Sequence, residues 1–284
     1  MKTSLAVASV LIGAYGLLLG YRQMEPATPL QMYWKKNRNT VAMYLQNPKA
    51  PVVFTGSSLT VTLEFNEANE CVYNLGLIGE SALTGIDIIS DSEHKPSVVF
   101  VEVNFPGRES NKTLIKEASG FLARNFPEFT YTPPISLVGN MLASLHHLFK
   151  DKPPQEDGSN AKPDPEEARK KELTLQLELF NVPLPPVLLT TKIDEFRAKV
   201  KNLENNGVRV VFFEMPVHPD LENSNQAVQV RTAFRSAFPD NTFIGFEELA
   251  NGVEVNPADG LHLNVVGATG VIRNLKSYYV DSCT

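Results

Sequence analysis

Five short apolar runs, at 52–55, 71–75, 98–104, 208–215 and 242–246, punctuate the chain. Their apolar residues are continuous rather than alternating, which is the pattern of strands covered on both faces. Helical periodicity fills the intervals. Residues 81–90 follow the second run, and 226–238 precede the fifth. Ile193, Phe196, Val200 and Leu203 recur at helical spacing within 192–205, ahead of an Asn206-Gly207 stop. Val265–Tyr279 closes the chain as a last helical stretch. Alternation of strand and helix predicts an α/β domain with a parallel sheet and right-handed crossovers.

Two regions break the alternation. Between 106 and 190 no strand pattern is evident. There, 135–149 reads as a helix, and 151–171, rich in Pro, Asp, Glu and Lys, as a solvated loop. Residues 172–180 read as a short helix before Pro183-Leu184-Pro185-Pro186. The stretch 106–190 is therefore expected to be an insertion within one domain that shapes a substrate cleft. At the N-terminus, 5–20 is apolar and uncharged, a length between a signal-peptide core and a membrane span. With no lipobox cysteine and no cleavage site after the apolar core, 1–24 reads as an uncleaved signal anchor. A cleaved signal peptide and a buried core helix are the alternatives. A juxtamembrane segment, 25–49, follows with a helix at 32–45, and the domain proper spans 50–284.

Composition narrows the class. With 284 residues, 43% of them apolar, the chain can bury one sizeable core. A net charge of −6 with thinly spread Lys and Arg gives no basic stripe for nucleic acid. Two cysteines, Cys71 and Cys283, are too few for a disulfide framework and lack metal-ligand spacing. Cys71 opens the second run, and the last helix returns toward the same sheet edge, so a Cys71–Cys283 disulfide and two free thiols both remain open.

The candidate chemistry lies at the ends of these runs. The first passes into Gly56-Ser57-Ser58-Leu59, and Asp259-Gly260-Leu261-His262 lies two hundred residues later. A serine hydroxyl needs a base within hydrogen-bond reach, and that base needs a third group to orient it. Ser58, His262 and Asp259 can supply nucleophile, base and orienter, with Ser57 as the alternative nucleophile. The bland reading is that the serines cap the following helix. His94, His146, His147 and His218 sit in a polar loop, on the insertion helix and after the fourth run, and receive no catalytic role.

Together with Asn74-Leu75-Gly76-Leu77-Ile78-Gly79-Glu80 and Val101-Glu102-Val103-Asn104, these strings resemble, in order, the four blocks of the SGNH (GDSL-type) hydrolase superfamily. The resemblance covers about 51 to the C-terminus without the insertion. It implies a flavodoxin-like three-layer sandwich with a central five-stranded parallel sheet. It also implies an acyl–Ser58 intermediate and an oxyanion hole from the amides of Ser58 and Gly79 and the side chain of Asn104, with no cofactor or metal. The sequence departs from the family pattern at Ser57, Glu102 and Phe105. The Gly-Ser-Ser string behind an N-terminal apolar segment is similar to membrane-anchored members that modify envelope polymers. The expected function is thus a membrane-anchored, extracytoplasmic serine esterase or O-acyltransferase. Its substrate would be an O-acylated carbohydrate or envelope polymer, with a membrane-bound acyltransferase as a possible acyl donor. A catalytically inactive glycan- or partner-binding protein of the same fold is the competing expectation.

Overall fold

β-Branched and aromatic residues build five parallel strands: β1 (Val52–Gly56), β2 (Val72–Gly76), β3 (Val98–Glu102), β4 (Arg209–Phe213) and β5 (Thr242–Ile244). In this computed structural model the described residues are 29–46, 49–65, 70–120, 165–255 and 259–283. The helices among them are α1 (Pro29–Gln46), α2 (Ser58–Val61), α3 (Ala82–Asp91), α4 (Lys112–Ser119), α5 (Pro165–Phe180) and α6 (Pro186–Asn205). They continue with α7 (Pro219–Glu222), α8 (Asn225–Ala237), α9 (Phe246–Ala250) and α10 (Val265–Tyr279), which runs into a 3₁₀ turn, Val280–Cys283.

The strand order is β2-β1-β3-β4-β5, the order of flavodoxin-like folds. The expected α/β architecture, an all-parallel five-stranded sheet flanked by helices, is the one observed. Each strand sends alternate residues to opposite faces. Val52 and Phe54, Val98 and Phe100, and Val211 and Phe213 face the layer that contains Val271, Leu275 and Tyr279 of α10. The Phe54 and Phe100 rings stack at 4.4 Å, and Tyr279 meets both edge-on. On the opposite face Phe212 packs against Phe234 of α8 and against Phe238 at that helix's C-cap, and Phe234 against Phe196 of α6.

This topology fixes where a site belongs. Chain order reverses between β1 and β3, and in open parallel sheets the crevice at the carboxyl ends of such strands is the binding position. Ser58 follows β1 directly and Asn104 follows β3.

Some expectations need correction. Residues 165–171, read as loop from their charge, are the first turns of α5. A proline at the first helical position and acids in the first turn are helix-start signals that outweigh the loop-like composition. Short α4 was missed; Asn111 caps it, its side chain accepting from the Leu114 amide at 2.9 Å. α1 is longer than expected, and from Asn37 onward it belongs to the same compact unit as the sheet. Val41 and Tyr44 are buried, Tyr73 of β2 donates to the Thr40 carbonyl at 2.7 Å, and the Tyr44 and Tyr73 rings lie 5.2 Å apart. The helix expected at 135–149 and the apolar run at 5–20 lie outside the described residues. Among the described residues no helix is long and apolar enough to cross a membrane. Cys71 and Cys283 form a disulfide, with Cα atoms 5.4 Å apart.

Candidate active site

β1 ends in Gly56 because nothing larger fits. A Cβ there would lie 2.4 Å from Glu102 Oε2 and 2.1 Å from Thr60 Oγ1. Past Gly56 the two serines divide their labour. Ser57 caps α2, its Oγ accepting from the Leu59 amide at 3.2 Å and donating to the Glu102 carboxylate at 2.8 Å. The capping reading is therefore right for Ser57, which is buried and not paired with the histidine. Ser58, half-buried, turns the other way, and its Oγ lies 2.8 Å from His262 Nε2.

Asp259 does two jobs at a spacing of three residues. One oxygen accepts from the amides of Leu261 (3.0 Å) and His262 (2.8 Å), the Asx-turn pattern that curls the loop back on itself. The other lies 2.5 Å from His262 Nδ1. A carboxylate opposite Nδ1 selects the tautomer with the proton there, which leaves Nε2 free to accept from Ser58. Burial alone would raise the Asp259 pKa. The imidazole, the amides of His262 and Leu261 and the imidazole's field outweigh it and hold the carboxyl well below the ordinary carboxylate range. The loop is tied to the segment that follows β4 by the His218 amide, which donates to the Gly260 carbonyl at 2.8 Å. The His218 imidazole accepts from the Asp220 amide and caps α7. α5 closes over the same loop, and a Cβ on Gly260 would lie 2.9 Å from Leu173 Cδ1.

The expected oxyanion groups fall as follows. Gly79 is exposed and occupies the third position of a turn closed by the Glu80 amide on the Leu77 carbonyl at 3.1 Å. Its φ of +77° is the left-handed value that a type II turn demands there and that glycine adopts without strain. Gly76, the other glycine of that string, is the last residue of β2, and its amide is spent on Asn74 Oδ1 at 2.8 Å. Asn104 is anchored by its carboxamide: Nδ2 donates to the Met215 carbonyl (2.9 Å) and Oδ1 accepts from the Met215 amide (2.8 Å). That pairing uses one of the two N–H donors of the group.

The sequence alone gives no role to Glu102 or Asn37. Glu102 is buried and accepts from the Ser57 amide (2.8 Å), the Thr60 amide (3.2 Å) and both residues' hydroxyls. Burial pushes its carboxyl above the ordinary value, and those donors pull against the shift. Its signal was the departure from the family pattern at that position. Asn37 brackets Ile78, donating to its carbonyl and accepting from its amide, each at 2.8 Å. No sequence signal links residues 41 apart.

The loop after β3 is fastened at several points. Ser110 donates to Asp87, Asn111 donates to Glu80 at 2.8 Å, and buried Lys192 pairs with Glu109 at 2.6 Å. Phe105 packs edge-on against Phe180 of α5 and carries the Arg108 guanidinium over its ring. Among the described residues no group of three or more His, Cys, Asp or Glu side chains is arranged to hold a metal ion. Compared with protein-family models, with curated proteins and with solved structures, the chain matches none.

Proposed function

We propose that the protein is a serine acyl-hydrolase or O-acyltransferase that works through a covalent acyl–Ser58 intermediate. The reading is carried by the unbroken relay from Ser58 Oγ through His262 to Asp259, with separations of 2.8 and 2.5 Å. In the first step Ser58 Oγ bonds to the acyl carbon of an ester while its proton passes to His262 Nε2. The carbonyl oxygen becomes an oxyanion beside the Ser58 and Gly79 amides and the Asn104 carboxamide. The bond to the alkoxy oxygen then breaks, and His262 returns the proton to that leaving group. Water or a sugar hydroxyl reverses the sequence and frees Ser58, with His262 taking the proton of the incoming group. Asp259 stays ionised throughout and steadies the imidazolium.

The substrate in this reading is an O-acyl, principally O-acetyl, group on a carbohydrate or envelope polymer. The location is outside the cytoplasm, with the run at 5–20 as a single anchor. The Cys71–Cys283 disulfide supports that side, because structural disulfides persist in oxidising compartments. The test is labelling with a fluorophosphonate together with acetate release from p-nitrophenyl acetate and from acetylated sugars. The reading expects both activities in the full chain and neither in Ser58→Ala. Labelling that survives Ser58→Ala, or a wild-type chain inert in every assay, overturns it.

A further inference from the structure

Asn37 stands outside every motif discussed above, yet it holds the peptide on which one oxyanion donor depends. The carbonyl of Ile78 and the N–H of Gly79 belong to the same planar trans peptide and point in opposite directions, so fixing one fixes the other. This is also the central peptide of the Leu77–Glu80 turn, and type I and type II turns differ by a flip of that one unit. The Gly79 φ of +77° marks the type II state. Asn37 Nδ2 donates to the Ile78 carbonyl at 2.8 Å, a bond that a flip would break, while Oδ1 holds the Ile78 amide on the other side. Asn37 is itself buried, at 3% exposure, so little water is at hand to replace either bond. Its helix is seated on the edge strand that leads into the turn, through Thr40 and Tyr44 against Tyr73.

We infer that Asn37 is a positioning residue for the Gly79 oxyanion donor, which makes α1, the helix that follows the apolar N-terminal run, part of the catalytic apparatus. The inference rests on the acyl-transfer reading. It adds that the reaction rate depends on a helix preceding the first sheet strand.

Asn37→Asp is the discriminating variant. It keeps an acceptor for the Ile78 amide but presents a carboxylate to the Ile78 carbonyl, which favours the flipped turn. With p-nitrophenyl acetate we expect kcat to fall about 10- to 100-fold with KM within about threefold, since one oxyanion donor is worth roughly that or more. The rate of Ser58 phosphonylation should fall in parallel. Asn241→Ala removes two comparable side-chain bonds, to Glu204 and to the Val210 carbonyl, away from both turns and should leave kcat unchanged. Asn37→Ala serves if the buried aspartate lowers the melting temperature. Wild-type kcat in a folded Asn37 variant overturns the inference alone, because activity lost in Ser58→Ala still upholds the reading. A loss that tracks melting temperature in Asn241→Ala as in the Asn37 variants, or unfolding of both Asn37 variants, makes Asn37 a purely architectural tie and overturns it. An inert wild-type chain overturns both.

Discussion

The Ser57–Ser58 turn is held from beneath by a buried carboxyl group, whereas the Leu77–Glu80 turn is held from the side by a carboxamide. Glu102 lies on a central strand, wholly buried, and gathers two amides and two hydroxyls from the first turn. Asn37 reaches the second turn from a helix on the sheet edge and makes two bonds to one residue, next to an exposed glycine. Four buried donors converge on the one carboxyl group against two bonds at Asn37, and each buried donor left unpaired is costly. In the proposed mechanism the nucleophile therefore sits on the more heavily bonded support, and the oxyanion donor on one that a single peptide rotation can undo.

Glu102→Ala should break the stiff side. It strands four buried donors, and we expect about 3–5 kcal/mol of lost stability by denaturant unfolding, with esterase activity lost wherever the chain still folds. A loss below about 1 kcal/mol would place the strength of that turn elsewhere. Gly79→Ala should break the softer side with a smaller penalty. The left-handed φ costs a side chain about 1–2 kcal/mol, and a Cβ there meets nothing within 4 Å, so the fold should survive while kcat drops about tenfold or more. Thermal melting alongside steady-state kinetics separates the two effects.

The smallest effect concerns pH. The folded-state pKa of Glu102 is raised above its ordinary 4.5, so the folded chain holds that proton more tightly than the unfolded chain. Stability from this group is therefore greatest in acid and declines as pH rises from about 4.5 through the raised folded value. Glu80, raised first by burial, has the same sign. Asp259 has the opposite sign: its contribution is complete above its ordinary 3.8 and is lost only as pH falls below that. Urea unfolding at pH 4.5 and pH 7 should show a shallower decline in Glu102→Gln than in wild type. Equal declines would mean that Glu102 does not change its protonation on folding.

The contrast between the two turns also marks what the sequence could disclose. The strands were legible because continuous Val and Phe runs have no other comfortable place than between two helical layers. The Asp259–His262 spacing was legible because a carboxylate three residues back meets both the backbone and the ring of the histidine. Glu102 was visible only as an oddity, since a lone acid in an apolar strand does not announce the donors it will collect. Asn37 could not be read at all, because the bond to Ile78 exists only after α1 is seated on β2. α5 was cut short because Glu166, Glu167, Arg169, Lys170 and Lys171 resemble a solvated loop, although charge at a proline-led start suits a helix equally well.

The covalent link between Cys71 and Cys283 reaches further than its own corner of the molecule. β2 runs about 17 Å from that link to the glycine turn, and α10 runs about 22 Å from it back to the loop bearing the imidazole. The two elements stand like struts bolted together at the foot, each carrying one working part at its head. Cutting the bolt frees both feet at once, so reductant should loosen the spacing between the glycine turn and the imidazole without touching a single residue of either.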